Sequence, residues 1–169
     1  WDLNERAVAV DPMRPIVQQR RALKHWILGR PIEADRVIVR AFELWPTHPL
    51  VWTSRLLVHA FSGQVQAARN LIDHHSAAPA MLRPEGVTAW RIFLQALESR
   101  SPIDNDAART AGLEAAGKSS QLSVHAIMVL SELGELDAAF SIVDGLVTRR
   151  GPNLSEFRSE EGQSPAQDP

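Results

Sequence analysis

The sequence predicts an all-α fold, an α-α superhelix of antiparallel helix pairs. Three observations carry this. Glycine recurs 34 residues apart at Gly29 and Gly63, each time between two apolar runs. Alanine keeps the same interval, at Ala34 and Ala68, and a third copy of the pattern stands at Gly134 and Ala139. The intervening apolar residues have helical spacing, as in Val37, Ile38, Ala41, Phe42 and Leu44 and again in Leu56, Leu57, Ala60 and Phe61. A glycine between two such runs ends one helix in the left-handed conformation and turns the chain into the next.

Taken in order, residues 1–14 read as the end of a preceding repeat. Repeats follow at about 15–48, 49–82, 87–119 and 120–150. Thr47 is a candidate cap for the helix that begins with His48-Pro49-Leu50, and proline suits a first turn. Leu82-Arg83-Pro84-Glu85-Gly86 reads as a break, and Ser101 to Asn105 as the longest turn inside a repeat. Asp104 or Asp106 is expected to cap the alanine-rich helix that follows. Gly151 to Pro169 holds three prolines, two glycines and few large apolar residues, so residues 151–169 are expected to form a flexible tail.

Composition narrows the function. The 169 residues carry a formal charge of -2 and no cysteine, which excludes a disulfide framework and a cysteine zinc site. Mixed charges of near-zero sum argue against nucleic acid or an anionic membrane as the main partner. Nowhere do 18 apolar residues run together. The start at Trp1 has no signal-peptide pattern, so a cytoplasmic location is expected. Lysine is confined to Lys24 and Lys118, an arginine skew that fits the codon bias of a GC-rich bacterium.

These residues resemble the tetratricopeptide repeat, a 34-residue helix–turn–helix unit. With a repeat starting at Pro15, Ala22, Gly29, Ala34, Ala41 and Pro46 stand at the family's small, glycine and proline positions. With the next starting at Pro49, Trp52 takes the tryptophan position, and Gly63 and Ala68 follow in register. A third repeat from Val87 places Trp90 correctly but has Ser101 where glycine is expected. A fourth from Ser120 keeps Gly134 and Ala139 but has Ser123 in place of tryptophan. Ala7 and Pro12 match the end of an earlier repeat, from which the chain is expected to be a piece of a longer protein.

No catalytic constellation emerges. His74 and His75 are adjacent and diverge on a helix, no HExxH occurs, and His25, His48, His59 and His125 read as packing or surface residues at unrelated positions. Phosphate-binding glycine loops and the nucleophile elbow are absent from the sequence. The chain is therefore expected to be no enzyme, with no metal site and no cofactor. The pairs Arg20-Arg21 and Arg149-Arg150 make a poor phosphate footprint, so no direct nucleic-acid contact is expected.

The resemblance implies a partner-binding groove lined by the first helix of each repeat. Here that gives Gln19, Leu23, Trp26, Leu57, Phe61, Arg91, Gln95 and Met128. An apolar row with an aromatic anchor suits an amphipathic helix or an extended peptide, while a helix of the same array is the competing occupant. Gln19 and Leu23 stand where a carboxylate clamp of the family would want Lys and Asn, which argues against chaperone-tail recognition. In bacteria such arrays often follow a winged-helix DNA-binding domain. The resemblance thus implies the partner- or effector-binding half of a transcriptional regulator. A secretion or assembly adaptor, or the accessory domain of an enzyme, is the alternative, and a homodimer is admitted.

Overall fold

The structure is a computed structural model. It describes residue 6 and residues 10–11, 13–73 and 84–160, those from 149 onward as backbone only. Among the described residues the chain forms eight helices and no strand. They are α1 (Pro15–Ile27), α2 (Pro31–Leu44), α3 (Pro49–Phe61), α4 (Val65–Asp73), α5 (Pro84–Ser99), α6 (Pro102–Ala116), α7 (Ser120–Leu133) and α8 (Leu136–Glu160). The fold is all-α. The chain divides into two compact units, residues 1–107 and 108–169, with the boundary inside α6. None of the described helices is long and apolar enough to cross a membrane.

The helix ends follow from local chemistry. Pro15, Pro31 and Pro49 each occupy a first turn, where the missing N–H costs nothing. Gly29, Gly63 and Gly134 take φ of 70°, 75° and 82°. In all three turns the residue after the glycine donates its N–H to a carbonyl five residues back: Arg30 to His25 (2.9 Å), Gln64 to His59 (2.9 Å) and Glu135 to Leu130 (2.8 Å). This closure satisfies carbonyls that the helix end would leave open. A Cβ at any of the three glycines would meet nothing within 4 Å, so the backbone angle alone demands glycine there.

In the first unit the core begins with Ala22, Ala34, Ile38, Ala41, Val51 and Val58. Small residues let α1, α2 and α3 approach closely. Helix α3 is buried on most sides, at Val51, Trp52, Ser54 and the whole run from Leu56 to Ala60. It packs against α1, α2 and α4, which explains why its sequence is apolar nearly all round. Helix α5 buries Trp90 and Phe93 fully, their rings edge to face at 5.9 Å.

In the second unit α7 and α8 pack together. Gly112 of α6 lies against α7, where a Cβ would come within 3.1 Å of Leu130 Cδ1 and 3.4 Å of Ala126 Cβ. Ser119 caps α7, its side chain accepting the Leu122 N–H at 3.4 Å.

Several boundaries differ from the sequence reading. His48, not Thr47, precedes α3, and no side chain caps that helix. Pro84 to Gly86 already belong to α5, because proline and an acidic Glu85 suit a first turn. The turn before α6 is only two residues long. Ser101 Oγ accepts the Asp104 N–H at 3.2 Å and donates to Asp104 Oδ2 at 3.0 Å. Ser101 is thus the cap, and Asp104 stands inside the first turn, accepting the Ser101 hydroxyl. The left-handed residue of that turn is Arg100 (φ 53°), one before the expected position. Helix α8 runs on to Glu160, so the backbone is helical through the first ten residues expected as tail. Residues 161–169 lie outside the described residues, as do His74 and His75.

Candidate functional site

The residues expected to line a groove fall on four helices, α1, α3, α5 and α7. Helices α1 and α3 pack directly. Gln19 Nε2 donates to Ser54 Oγ at 2.9 Å, and this buried bond fixes one end of the contact. Trp26 and Phe61 meet at the other end, ring centroids 5.8 Å apart and tilted by 40°. Both rings are half-buried, and Trp26 also packs on the core around Ala22 and Ile38. Leu23, one turn before Trp26, is half-buried, whereas Leu57 is buried. The surface that α1 and α3 leave to solvent is therefore Leu23, Trp26 and Phe61, with Gln19 and Leu57 beneath it.

The polar members behave differently. Arg91 Nη2 is paired with Asp73 of α4 at 3.0 Å. Gln95 accepts from Arg69 Nη2 at 3.3 Å and donates to Asp104 Oδ2 at 3.4 Å. Arg69 itself pairs with Glu98 at 2.6 Å. Both side chains are engaged within the first unit in a lattice of exposed bonds, each worth little in water. Ser99 donates to Asp104 at 2.5 Å. This bond, then that from Ser101, holds the Asp104 carboxyl below its ordinary pKa. Met128 belongs to the second unit, half-buried on α7.

A second constellation lies on another face of α3. Arg55 Nε donates to His59 Nε2 at 3.1 Å, and the guanidinium sits 4.2 Å above the Phe42 ring of α2. With Nε2 accepting, the other nitrogen carries the proton, so His59 Nδ1–H donates to Gln64 Oε1 at 2.8 Å. Asp35 Oδ1 lies 3.6 Å from the same nitrogen. Burial, then the Arg55 cation, push the His59 pKa below that of free imidazole, against the pull of Gln64 and Asp35. His59 is thus neutral near pH 7, and its approach to Asp35 is a polar contact, not an ion pair. His25 and His59 are 34 residues apart and both buried, so their positions are related by the repeat, contrary to the sequence reading. The pattern Arg21…His25 and Arg55…His59 was visible in the sequence as an Arg-x-x-x-His pair at the repeat interval.

Among the described residues no three His, Asp or Glu side chains converge as a metal site. Comparison with protein-family models, curated proteins and solved structures finds no match to this chain.

Proposed function

We propose that the chain is a non-catalytic interaction module of tetratricopeptide-like helical pairs, in which the α1–α3 face docks an apolar-faced peptide or helix of a protein partner. The half-buried Trp26–Phe61 pair carries this reading. Two aromatic rings held by their own helices, with Leu23 beside them, offer rigid apolar area at small entropic cost, and such anchors dominate binding energy at interfaces. The module serves a larger bacterial protein as its partner- or effector-binding part.

Random peptides selected on the whole chain test the reading, with a Leu23→Ser, Phe61→Ser double variant as comparison. Trp26 packs on the core, so its removal would mix folding with binding. Selected peptides are expected to bind the variant at least about tenfold more weakly, while its circular dichroism is unchanged. Peptides that bind both proteins alike, or a selection that enriches nothing, would overturn it.

A further inference from the structure

The turns at Gly29, Gly63 and Gly134 put α2, α4 and α8 in one register. The sixth residue after each glycine is Asp35, Arg69 and Phe140, and the ninth is Ile38, Ile72 and Val143. In α2 and α4 these positions serve the helix that follows. Asp35 lies against His59 of α3, and Arg69 pairs with Glu98 of α5. Ile38 and Ile72 are fully buried, and Phe42, one turn after Ile38, lies under Arg55 of α3. In α8 the equivalent face is open: Leu136, Phe140, Val143 and Val147 are 51%, 68%, 38% and 64% exposed. They form one apolar stripe, since steps of four, three and four keep to a single side of a helix. Asp137 and Asp144, both exposed, edge it. Among the described residues no helix follows α8, and residues 161–169 include no large apolar side chain that could lie on the stripe.

We propose that this stripe pairs with the same stripe of a second copy of the chain, antiparallel across a two-fold axis. Its chemistry differs from that of the equivalent faces of α2 and α4. At the sixth position those helices carry a charge, answered by a polar group on the next helix, whereas Phe140 requires an apolar neighbour. Another copy of the stripe supplies one. The spacing reads the same in both directions, so a copy running the opposite way meets it in register, Leu136 against the partner's Val147 and Phe140 against the partner's Val143. Each larger side chain then faces a smaller one, which fills the layer without voids. A parallel copy would set Phe140 against the partner's Phe140. Asp137 and Asp144 of the two copies share an edge, where exposed like charges are screened at physiological salt. Stacked helical pairs stay soluble by a polar outer face, and an outer stripe this apolar marks a contact surface instead. None of these residues lies on the α1–α3 face proposed above for a peptide.

Analytical ultracentrifugation of the whole chain over a concentration series tests the pairing. The stripe is smaller than a standard stable interface, so a dimer with a dissociation constant on the order of 10 μM is expected. A Phe140→Ser, Val147→Ser variant is expected to dimerise at least about tenfold more weakly. Its circular dichroism is expected to be unchanged, because both side chains are exposed. The chain has no cysteine, so introduced ones report the orientation. A Leu136→Cys chain mixed with a Val147→Cys chain is expected, on oxidation, to form the mixed disulfide in preference to either symmetric one. A dimer that survives in the serine variant, or symmetric disulfides in excess of the mixed one, overturns the proposal. A chain still monomeric about twentyfold above the expected constant also overturns it and leaves the stripe to a helix of another protein or to a segment of its own chain.

Discussion

Helices α3 and α7 solve one packing problem in opposite ways. The fourth residue of each is fully buried, Trp52 in α3 and Ser123 in α7. Trp52 fills its place with apolar area, and its indole N–H has no acceptor among the described residues. Ser123 fills the equivalent place with a hydrogen bond, its hydroxyl 2.9 Å from the Ser119 carbonyl and 3.1 Å from that of Ala116 at the end of α6. Two residues on, the polarity is reversed. Ser54 of α3 is a small acceptor for Gln19, whereas His125 of α7 is a buried imidazole. The repeat thus prescribes where a helix is buried, not what is buried there.

Substitution at the fourth residue should separate the two solutions most clearly. Trp52→Ala removes a large buried ring and is expected to cost about 4 kcal/mol in denaturant unfolding. Ser123→Ala is expected to cost about 1 kcal/mol, because it removes one small hydroxyl and the Ser119 carbonyl still accepts the Ser123 N–H. Equal costs would mean that α7 depends on its serine as α3 depends on its tryptophan.

Acid should then act through the sixth residue of α7. Burial pushes the His125 pKa down to about 4. The unfolded chain, with an ordinary imidazole near 6.5, binds the proton first, so the neutral histidine's contribution is complete above pH 6.5 and is lost as pH falls towards 4. The loss is on the order of 3 kcal/mol. His125→Gln is expected to reduce the slope of unfolding free energy between those pH values, leaving the share of His59, while Ser54→Ala leaves the slope unchanged. A slope undiminished in His125→Gln would assign the titration elsewhere.

The smallest effects come from the turns. Gly63→Ala forces a Cβ into φ 75° and is expected to cost about 1 kcal/mol. Arg100→Gly relieves the same strain at φ 53° and is expected to gain about 0.5 kcal/mol, the rest being lost to the looser unfolded chain. Thermal midpoints measured side by side should move in opposite directions. A fall in both would show that the Arg100 bond to the Leu97 carbonyl outweighs its strain.

Backbone was more legible in the sequence than surface. Helices α1, α3 and α7 start at residues 15, 49 and 120, because proline and serine act through the local chain. The third start, set at Val87 by its tryptophan, missed Pro84, the stronger local signal. Site residues needed knowledge of what lies across the helix. Nothing near Arg91 in sequence reveals Asp73 as its partner, or Arg69 as that of Gln95. Gln19 reads as a groove residue until Ser54 is placed opposite it. The Arg-His pairs were the exception, since their 34-residue interval needed only to be counted.

The order in which the helices pack has a kinetic consequence. In the first unit α1 packs on α2 and α3, α2 on α3, α3 on α4 and α4 on α5. Among the described residues, each of these pairings joins helices no more than two apart along the chain, so each closes a short loop and costs little chain entropy. Topologies of this kind fold on the order of microseconds to milliseconds, with no distant segment to wait for. The contacts among α1, α2 and α3 can therefore form without waiting for α5.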